Sequence, residues 1–202
     1  MVQVAALRGG TRAEGPGVRV AVWTQGCTIK CKGCFNPELW GTRGGEALSP
    51  AELTDRILDM ASKHPGTEGV TFMGGEPFDQ PHDLAKVCEK IRSAGLSVMV
   101  FTGFRLSELR ERQDEATNHF LDHIDLLVDG RFEQHLVDPV RPWLGSTNQE
   151  FHVLTSRYSP DDLRARDLLE ITVKADGEVQ VNGWAQTADI ENLLDSLTDP
   201  RN

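Results

Sequence analysis

Cysteine, tyrosine and long apolar runs are what this chain has least of. Of its 202 residues four are cysteine and one is tyrosine. No apolar stretch approaches the roughly 18 residues needed to cross a bilayer. The N-terminal residues Met1 to Arg12 carry neither the apolar core of a signal peptide nor a small-residue cleavage site after one. A cytoplasmic protein with reduced thiols is therefore expected, with no membrane partner. Basic charge is also in deficit. Twenty-one Lys and Arg against 31 Asp and Glu leave a net charge of −10, which argues against nucleic acid as a partner. Hydrophobic residues at 39% and charged ones at 26% are ordinary for a globular chain, and the length predicts one core with at most an appendage.

Three of the four cysteines stand together. Cys27, Cys31 and Cys34 follow the apolar run Val18 to Trp23 at C-x3-C-x2-C spacing. Three thiolates in one short loop can hold three irons of a [4Fe–4S] cube, because soft sulfur ligands suit iron–sulfur clusters. The fourth iron is then open to another ligand. A structural zinc site would want a fourth Cys or His equally close, and the remaining cysteine, Cys88, shares a helical stripe with Leu84, Val87 and Ile91. It reads as a buried core residue. On spacing alone, zinc and a redox or disulfide pair remain alternatives.

Around this loop the chain alternates. Gly15, Pro16 and Gly17 bend it into a strand over Val18 to Thr24. Pro37 to Leu48 reads as a loop over the site, with Trp40 as a packing anchor. Ser49, Pro50 and Glu52 are an N-cap, first-position proline and capping-box signature, opening a helix with Leu53, Ile57, Leu58 and Ala61 on one face. Gly69 to Met73 is a strand running into Gly74, Gly75, Glu76 and Pro77. Asp83 to Ala94 is a helix stopped by Gly95, Ser97 to Phe101 a strand ending at Thr102 and Gly103, and Leu106 to about Ala116 one amphipathic helix. Leu121 to Val128 leads into a strand closing on Asp129 and Gly130, and Glu150 to Leu154 is another. Strands alternating with helices predict a parallel sheet whose ligands gather at the strands' carboxyl ends, where Cys27, Glu76, Thr102 and Asp129 fall. In the tail, Ile171 to Ala175 and Glu178 to Val181 flank Asp176-Gly177, a hairpin signal. The alternation of Ile171, Val173, Val179 and Val181 predicts a half-buried hairpin packed on the core, and Asp189 to Leu197 a closing helix.

The cysteine spacing, followed one strand later by Gly74-Gly75-Glu76-Pro77, resembles the radical S-adenosylmethionine (SAM) enzymes. More closely, the chain resembles the anaerobic ribonucleotide reductase activating family of glycyl-radical-enzyme activases. It shares G-C-x3-C-x-G-C-[YF]-N at Gly26 to Asn36, T-G-[YF] at Thr102 to Phe104 and V-D-G-x-F at Val128 to Phe132. Asp138-Pro139, W-x-G-S-x-N-Q at Trp143 to Gln149, and G-P-G-x-R at Gly15, Pro16, Gly17 and Arg19 complete the pattern. The glycine Gly33 before the last cysteine, where many radical SAM enzymes have an aromatic, is also shared. Compact activators tend to stop soon after the strand at Glu150, so the hairpin and helix are an addition.

This resemblance implies an α/β fold, a partial parallel (β/α) barrel of about five or six strands, extended by a C-terminal β-hairpin and helix. Residues 1–157 would form the core and 158–202 an extension packed on it. It implies an enzyme that reductively cleaves SAM at a [4Fe–4S] cluster to a 5′-deoxyadenosyl radical and so installs a glycyl radical on a partner. Cys27, Cys31 and Cys34 would ligate iron. Gly74, Gly75 and Glu76 would hold the methionyl end of SAM, Glu76 receiving its ammonium. Gly33 and Phe35 would meet the adenine through their backbone, and Asp129, Arg131, Ser146 and Asn148 the ribose and carboxylate. The partners implied are a one-electron donor of flavodoxin or ferredoxin type and a glycyl radical enzyme or peptide. Two alternatives of other kinds stand beside it. The tail favours a stand-alone radical SAM enzyme acting on a peptide or small metabolite. A non-catalytic iron–sulfur protein has Glu76 against it.

Overall fold

Thirteen strands and helices build a single seven-stranded sheet, a helical layer and a hairpin in the computed structural model, which describes residues 1–163, 169–173, 177 and 179–183. The strands are β1 (Val2–Thr11), β2 (Val18–Thr24), β3 (Glu46–Leu48), β4 (Thr67–Gly74), β5 (Ser97–Phe101), β6 (Leu126–Asp129), β7 (Glu150–Val153), β8 (Leu169–Val173) and β9 (Val179–Gly183). The helices are α1 (Pro50–Lys63), α2 (Pro81–Ser93), α3 (Leu106–Glu111) and α4 (Glu115–Leu121).

Side-chain alternation divides the sheet into two faces. Val20 and Val22, Val70 and Phe72, Val98 and Val100, and Leu127 point to one side and are fully buried beneath the helices. Onto them α1 lays Leu53 and Ile57, α2 lays Leu84, Val87, Cys88 and Ile91, α3 lays Leu109 and α4 lays Phe120. Each such burial contributes roughly 1.5–3 kcal/mol. The residues between them, among them Arg19, Trp23, Thr71, Met73, Met99 and Phe101, point to the other side, where a smaller apolar cluster of Met99, Leu126, Val128, Trp143 and Leu144 leaves a cleft.

Local signals are realised where they are strongest. Ser49 Oγ accepts from the Glu52 N–H at 3.2 Å while Glu52 Oε2 accepts from the Ser49 N–H at 2.9 Å, so the capping box opens α1. Gly95, at φ +84°, supplies the left-handed turn that ends α2.

The parallel sheet is present in its centre: β2, β4, β5 and β6 pair in parallel in that order. Its flanks are antiparallel, with β3 and β1 on one side and β7 on the other, so the sheet is mixed. Among the described residues no pairing joins β3 to β7. Three segments differ from the sequence expectation. β1 carries irregularities between Val4 and Ala6 and between Arg8 and Thr11, which break its two-residue period and hide it as a strand. The loop expected from Pro37 to Leu48 contains a short 3₁₀ turn at Pro37–Trp40 and, in β3, a strand too short to show a pattern. The single helix expected from Leu106 is two, because Gln113 turns left-handed at φ +53° and Asp114 Oδ1 accepts from the Thr117 N–H at 2.7 Å, capping a new helix.

The hairpin exists as β8 and β9, but it does not pack through Ile171 and Val173, which are 38% and 67% exposed. Its polar residues face the core instead. Glu170 accepts from Thr11 Oγ1 at 2.6 Å and the Arg12 N–H at 2.8 Å, and Thr172 Oγ1 from Arg8 Nη2 at 2.6 Å. The end of β1 offers these donors rather than apolar surface, and the hairpin turns accordingly. Tyr158, where the extension was expected to begin, reaches into the core: its hydroxyl lies 2.9 Å from Arg19 Nη1 and 2.6 Å from Ser97 Oγ. Asp176 and the helix expected over Asp189 to Leu197 lie outside the described residues. No helix among the described residues is long and apolar enough to cross a membrane.

Candidate functional site

The two motif loops leave neighbouring strands and are stitched together by backbone. After β2, the Gly26 N–H donates to Leu39 O at 2.9 Å and the Cys27 N–H to Trp40 O at 3.2 Å. After β4, the Gly75 N–H donates to Thr24 O and the Glu76 N–H to Gly26 O, both at 2.8 Å. The approach is so close that a Cβ on Gly75 would sit 2.1 Å from the Gly26 carbonyl oxygen. Asp79 adds a side-chain clamp, accepting from the Thr28 N–H and hydroxyl at 2.8 Å each.

Within the loop Lys30 adopts φ +53°, a left-handed conformation unusual for a side chain with a Cβ. Cys27, Cys31 and Cys34 are half-buried and line one cleft of about 730 Å³. Burial pushes the Cys27 thiol up, against the backbone N–H groups of Lys30 and Ile29, and burial likewise pushes up Cys31, against the Phe132 N–H. Glu76 and Asp79 add negative charge around Cys27. Three thiolates here therefore need a compensating cation, and the irons of an iron–sulfur cluster are among those their softness suits. Trp40 lines the same cleft, and its Nε1 donor is buried without a partner among the described residues. Such an orphaned donor fits a cleft built to hold something polar. Phe35 stands at the rim against Phe132, ring centroids 5.0 Å apart.

Glu76 is 1% exposed and lines the cleft. Its Oε1 accepts from the Phe78 N–H at 2.9 Å and Thr102 Oγ1 at 2.8 Å, its Oε2 from the Gly103 N–H at 2.9 Å. Burial, partly offset by these bonds, pushes its pKa up to about 7. An ionised carboxylate has about four acceptor sites, so one is left for a ligand. Thr102 and Gly103 thus belong to the site; the sequence places Thr102 at a ligand-gathering strand end within the T-G-F motif but gives neither residue a role.

Of the residues singled out in the sequence, the structure brings Cys27, Cys31, Cys34, Phe35, Gly74, Gly75 and Glu76 to this cleft. Asp129, Arg131, Ser146, Asn148 and Gly33 are not among the residues that line it. Asp129 accepts from the Leu106 N–H at 2.7 Å, holding the start of α3, and lies 2.9 Å from His152 Nε2 on β7. Ser146 Oγ accepts from the Glu133 N–H at 3.1 Å, and Asn148 Nδ2 donates to Arg131 O at 2.8 Å. Both hold the loop whose Gly130 and Phe132 face the cleft. Gly33, at φ +79°, abuts the Gln134 side chain, and the positive charge of the exposed Arg131 offsets a small part of the rise that burial gives the Cys31 thiol.

The far end of the cleft is polar and was missed in the sequence. Glu14, in the lead-in to β2, is 6% exposed, and its carboxylate makes no hydrogen bond among the described residues. Burial and the nearby Glu170, against Arg8, push its pKa up to about 7. Leu169, Asn182 and Gly183 of the hairpin complete this end. Behind it Arg19, fully buried, donates to Thr71 Oγ1 at 2.6 Å, Val70 O at 2.8 Å and Pro16 O at 3.0 Å, fixing the Gly-Pro-Gly turn against the sheet.

Residues 13–152 match the model of a family described as a 4Fe-4S single cluster domain. The anaerobic ribonucleoside-triphosphate reductase-activating protein of Escherichia coli K12 is 34% identical over 145 residues, covering 70% of this chain and 92% of that one. Its counterpart in Vibrio cholerae is 33% identical over 148 residues, with the same coverage of each chain, and that of phage T4 26% over 142 residues, covering 67% and 84%. Among solved structures, QueE from Escherichia coli aligns over 50% of this chain and 52% of its own, at 19% identity and a TM-score of 0.43. With the cysteine loop and the Gly-Gly-Glu turn joined at one cleft, the family match and the relatives above 30% identity place the chain in the single-cluster 4Fe-4S domain family, among the radical SAM activating proteins of anaerobic ribonucleotide reductase.

Proposed function

We propose that this chain is a radical SAM activase that installs a glycyl radical on a partner enzyme of the anaerobic ribonucleotide reductase type. The observation that carries this reading is the stitching of the three-thiol loop to the Gly-Gly-Glu turn at one end of a cleft. Cys27, Cys31 and Cys34 would hold three irons of a [4Fe–4S] cluster, and SAM would take the open position beside Gly74, Gly75 and Glu76. When bound, the cluster and SAM together supply one-electron cleavage of the sulfonium to a hydrogen-abstracting radical.

The protein's share is placement and exclusion of water. Glu76, locked by three donors, turns its free acceptor site to the SAM ammonium. The Gly33 and Phe35 backbone borders the adenine, and Trp40, Phe35 and Phe132 keep water from the thiols. Asp129, Arg131, Ser146 and Asn148 set the loop that closes over the ribose and carboxylate. At the far end Glu14, Arg8 and Asn182 hold the backbone of the segment that gives up its hydrogen. No general base is required. An external flavodoxin or ferredoxin in the cytoplasm delivers the electron. Residues 1–157 are the catalytic core and 158–202 an extension, of which Leu169, Asn182 and Gly183 line the cleft.

That extension favours a second reading, a radical SAM enzyme acting alone on a peptide or small metabolite, since Leu169, Asn182 and Gly183 reduce the opening through which a folded partner must reach. Incubating the anaerobically reconstituted protein with dithionite, SAM and a reductase carrying deuterated glycine distinguishes them. Deuterium in 5′-deoxyadenosine together with a glycyl radical signal is expected. SAM cleavage without label transfer would overturn the activase reading.

A further inference from the structure

A second group of metal-ligating side chains lies on the helical layer, across the sheet from the cleft. His119 on α4 and His123 just beyond its end are four residues apart, which puts both imidazoles on one face of the helix. That face meets α2, which packs along α4 and presents Glu89 beside them. The two Nε2 atoms are 3.2 Å apart, and one ligand atom from each of the three residues falls within 4.8 Å of the others.

Two imidazole nitrogens so close have two explanations. Either one ring's N–H donates to the other's lone pair, or both lone pairs converge on a shared cation. Tetrahedral coordination with metal–nitrogen distances of about 2.0–2.1 Å separates two nitrogens by about 3.3 Å, nearly the observed spacing. Asp122 and Glu89 add negative charge around His123, while Arg92, the cation nearby, is tied to Asp125 at 3.0 Å. Glu89 is exposed, so its carboxylate can swing to close the remaining distance.

We propose that Glu89, His119 and His123 form a second metal site that takes a divalent transition cation of the zinc class. Two imidazole nitrogens and one carboxylate oxygen are the ligands, with water completing the shell. The bound ion ties α2 to α4. Its nitrogen and oxygen donors suit a cation of the zinc class and are separate from the thiols of the cleft.

Titration of the iron-loaded, full-length protein with zinc chloride under anaerobic conditions, against a chromophoric chelator, tests this. One zinc per chain is expected, with its binding shifting the His119 and His123 ring-nitrogen NMR resonances and raising the melting temperature as zinc increases. The His119→Gln/His123→Gln protein should bind zinc at least about tenfold more weakly, and Glu89→Gln should weaken it to a smaller degree. A protein with Cys27, Cys31 and Cys34 all changed to Ser should keep its one zinc. No zinc uptake, uptake that leaves both histidine resonances unmoved, or equal affinity in the double-histidine variant would each overturn the site. A pair of resonances joined by an N–H···N bond and indifferent to zinc would establish the alternative.

Discussion

Replacing Glu76 by glutamine separates two opposing effects at one buried carboxylate. Glutamine's amide oxygen can keep the Phe78 and Thr102 donors now on Oε1, but its NH₂ replaces Oε2 and faces the Gly103 N–H. A buried donor left without a partner costs about 1–3 kcal/mol. Against this stands the burial of charge, which raises the carboxyl pKa from 4.5 to about 7. At 1.36 kcal/mol per unit that is about 3 kcal/mol of penalty on the ionised form. Because the folded-state pKa is raised, the penalty is absent well below pH 4.5 and grows as pH rises through 7. Glutamine escapes it. Relative to wild type, Glu76→Gln should therefore be less stable by about 1–3 kcal/mol near pH 5 and gain about 2–3 kcal/mol on it by pH 8.

Urea unfolding of the cluster-free full-length chain at the two pH values measures this difference. SAM binding supplies a second reading of the same substitution. An ammonium on the ionised carboxylate is a charge-assisted bond of about 1.5–3 kcal/mol, so the variant should bind SAM one to two decades more weakly at pH 8 with iron content unchanged. A stability difference that does not vary with pH would refute the buried charge. Unchanged SAM affinity would reduce Glu76 to a clamp between the turns after β4 and β5.

Anaerobic reconstitution should give about four irons per chain; Cys31→Ala should abolish uptake while Cys88→Ala, in the core under α2, leaves it unchanged and lowers stability by about 1 kcal/mol. Iron analysis with urea unfolding checks both, and loss of iron in Cys88→Ala would refute the three-thiol site. Deleting Ser159 to Asn202 removes Glu170, the acceptor for Thr11, and the Asn182 wall of the cleft, but no residue assigned to cluster or SAM. Dithionite-driven SAM cleavage should survive the deletion, while radical transfer to the partner falls by about tenfold or more. Undiminished transfer, measured by the glycyl radical signal, would show that the hairpin wall plays no part.

Much of what depended on neighbouring residues could be read before folding. The three-thiol loop, the Gly74-Gly75-Glu76 turn, the Ser49–Glu52 capping box, the Gly95 stop and the core position of Cys88 each rest on residue types at short spacing. Their physics is local: thiolate softness, missing Cβ atoms, orphan N–H groups and a helical stripe. β1 escaped because its bulges erase the two-residue period, and the break before α4 because one left-handed residue and one cap outweighed a continuous amphipathic pattern.

What only the tertiary structure decided are the contacts between distant segments. Glu76 meets Thr102 across 26 residues, Thr28 meets Asp79 across 51 and Arg19 meets Tyr158 across 139. None leaves a mark on local composition, because a hydrogen-bonding side chain looks the same in sequence whether its partner is water or a buried acceptor. The hairpin shows the same limit. Its alternation of Ile171 and Val173 is real, yet which face turns inward was settled by Arg8, Thr11 and Arg12 at the end of β1. The chain by itself determined which atoms could hold iron; the packing of its strands determined what stands around them.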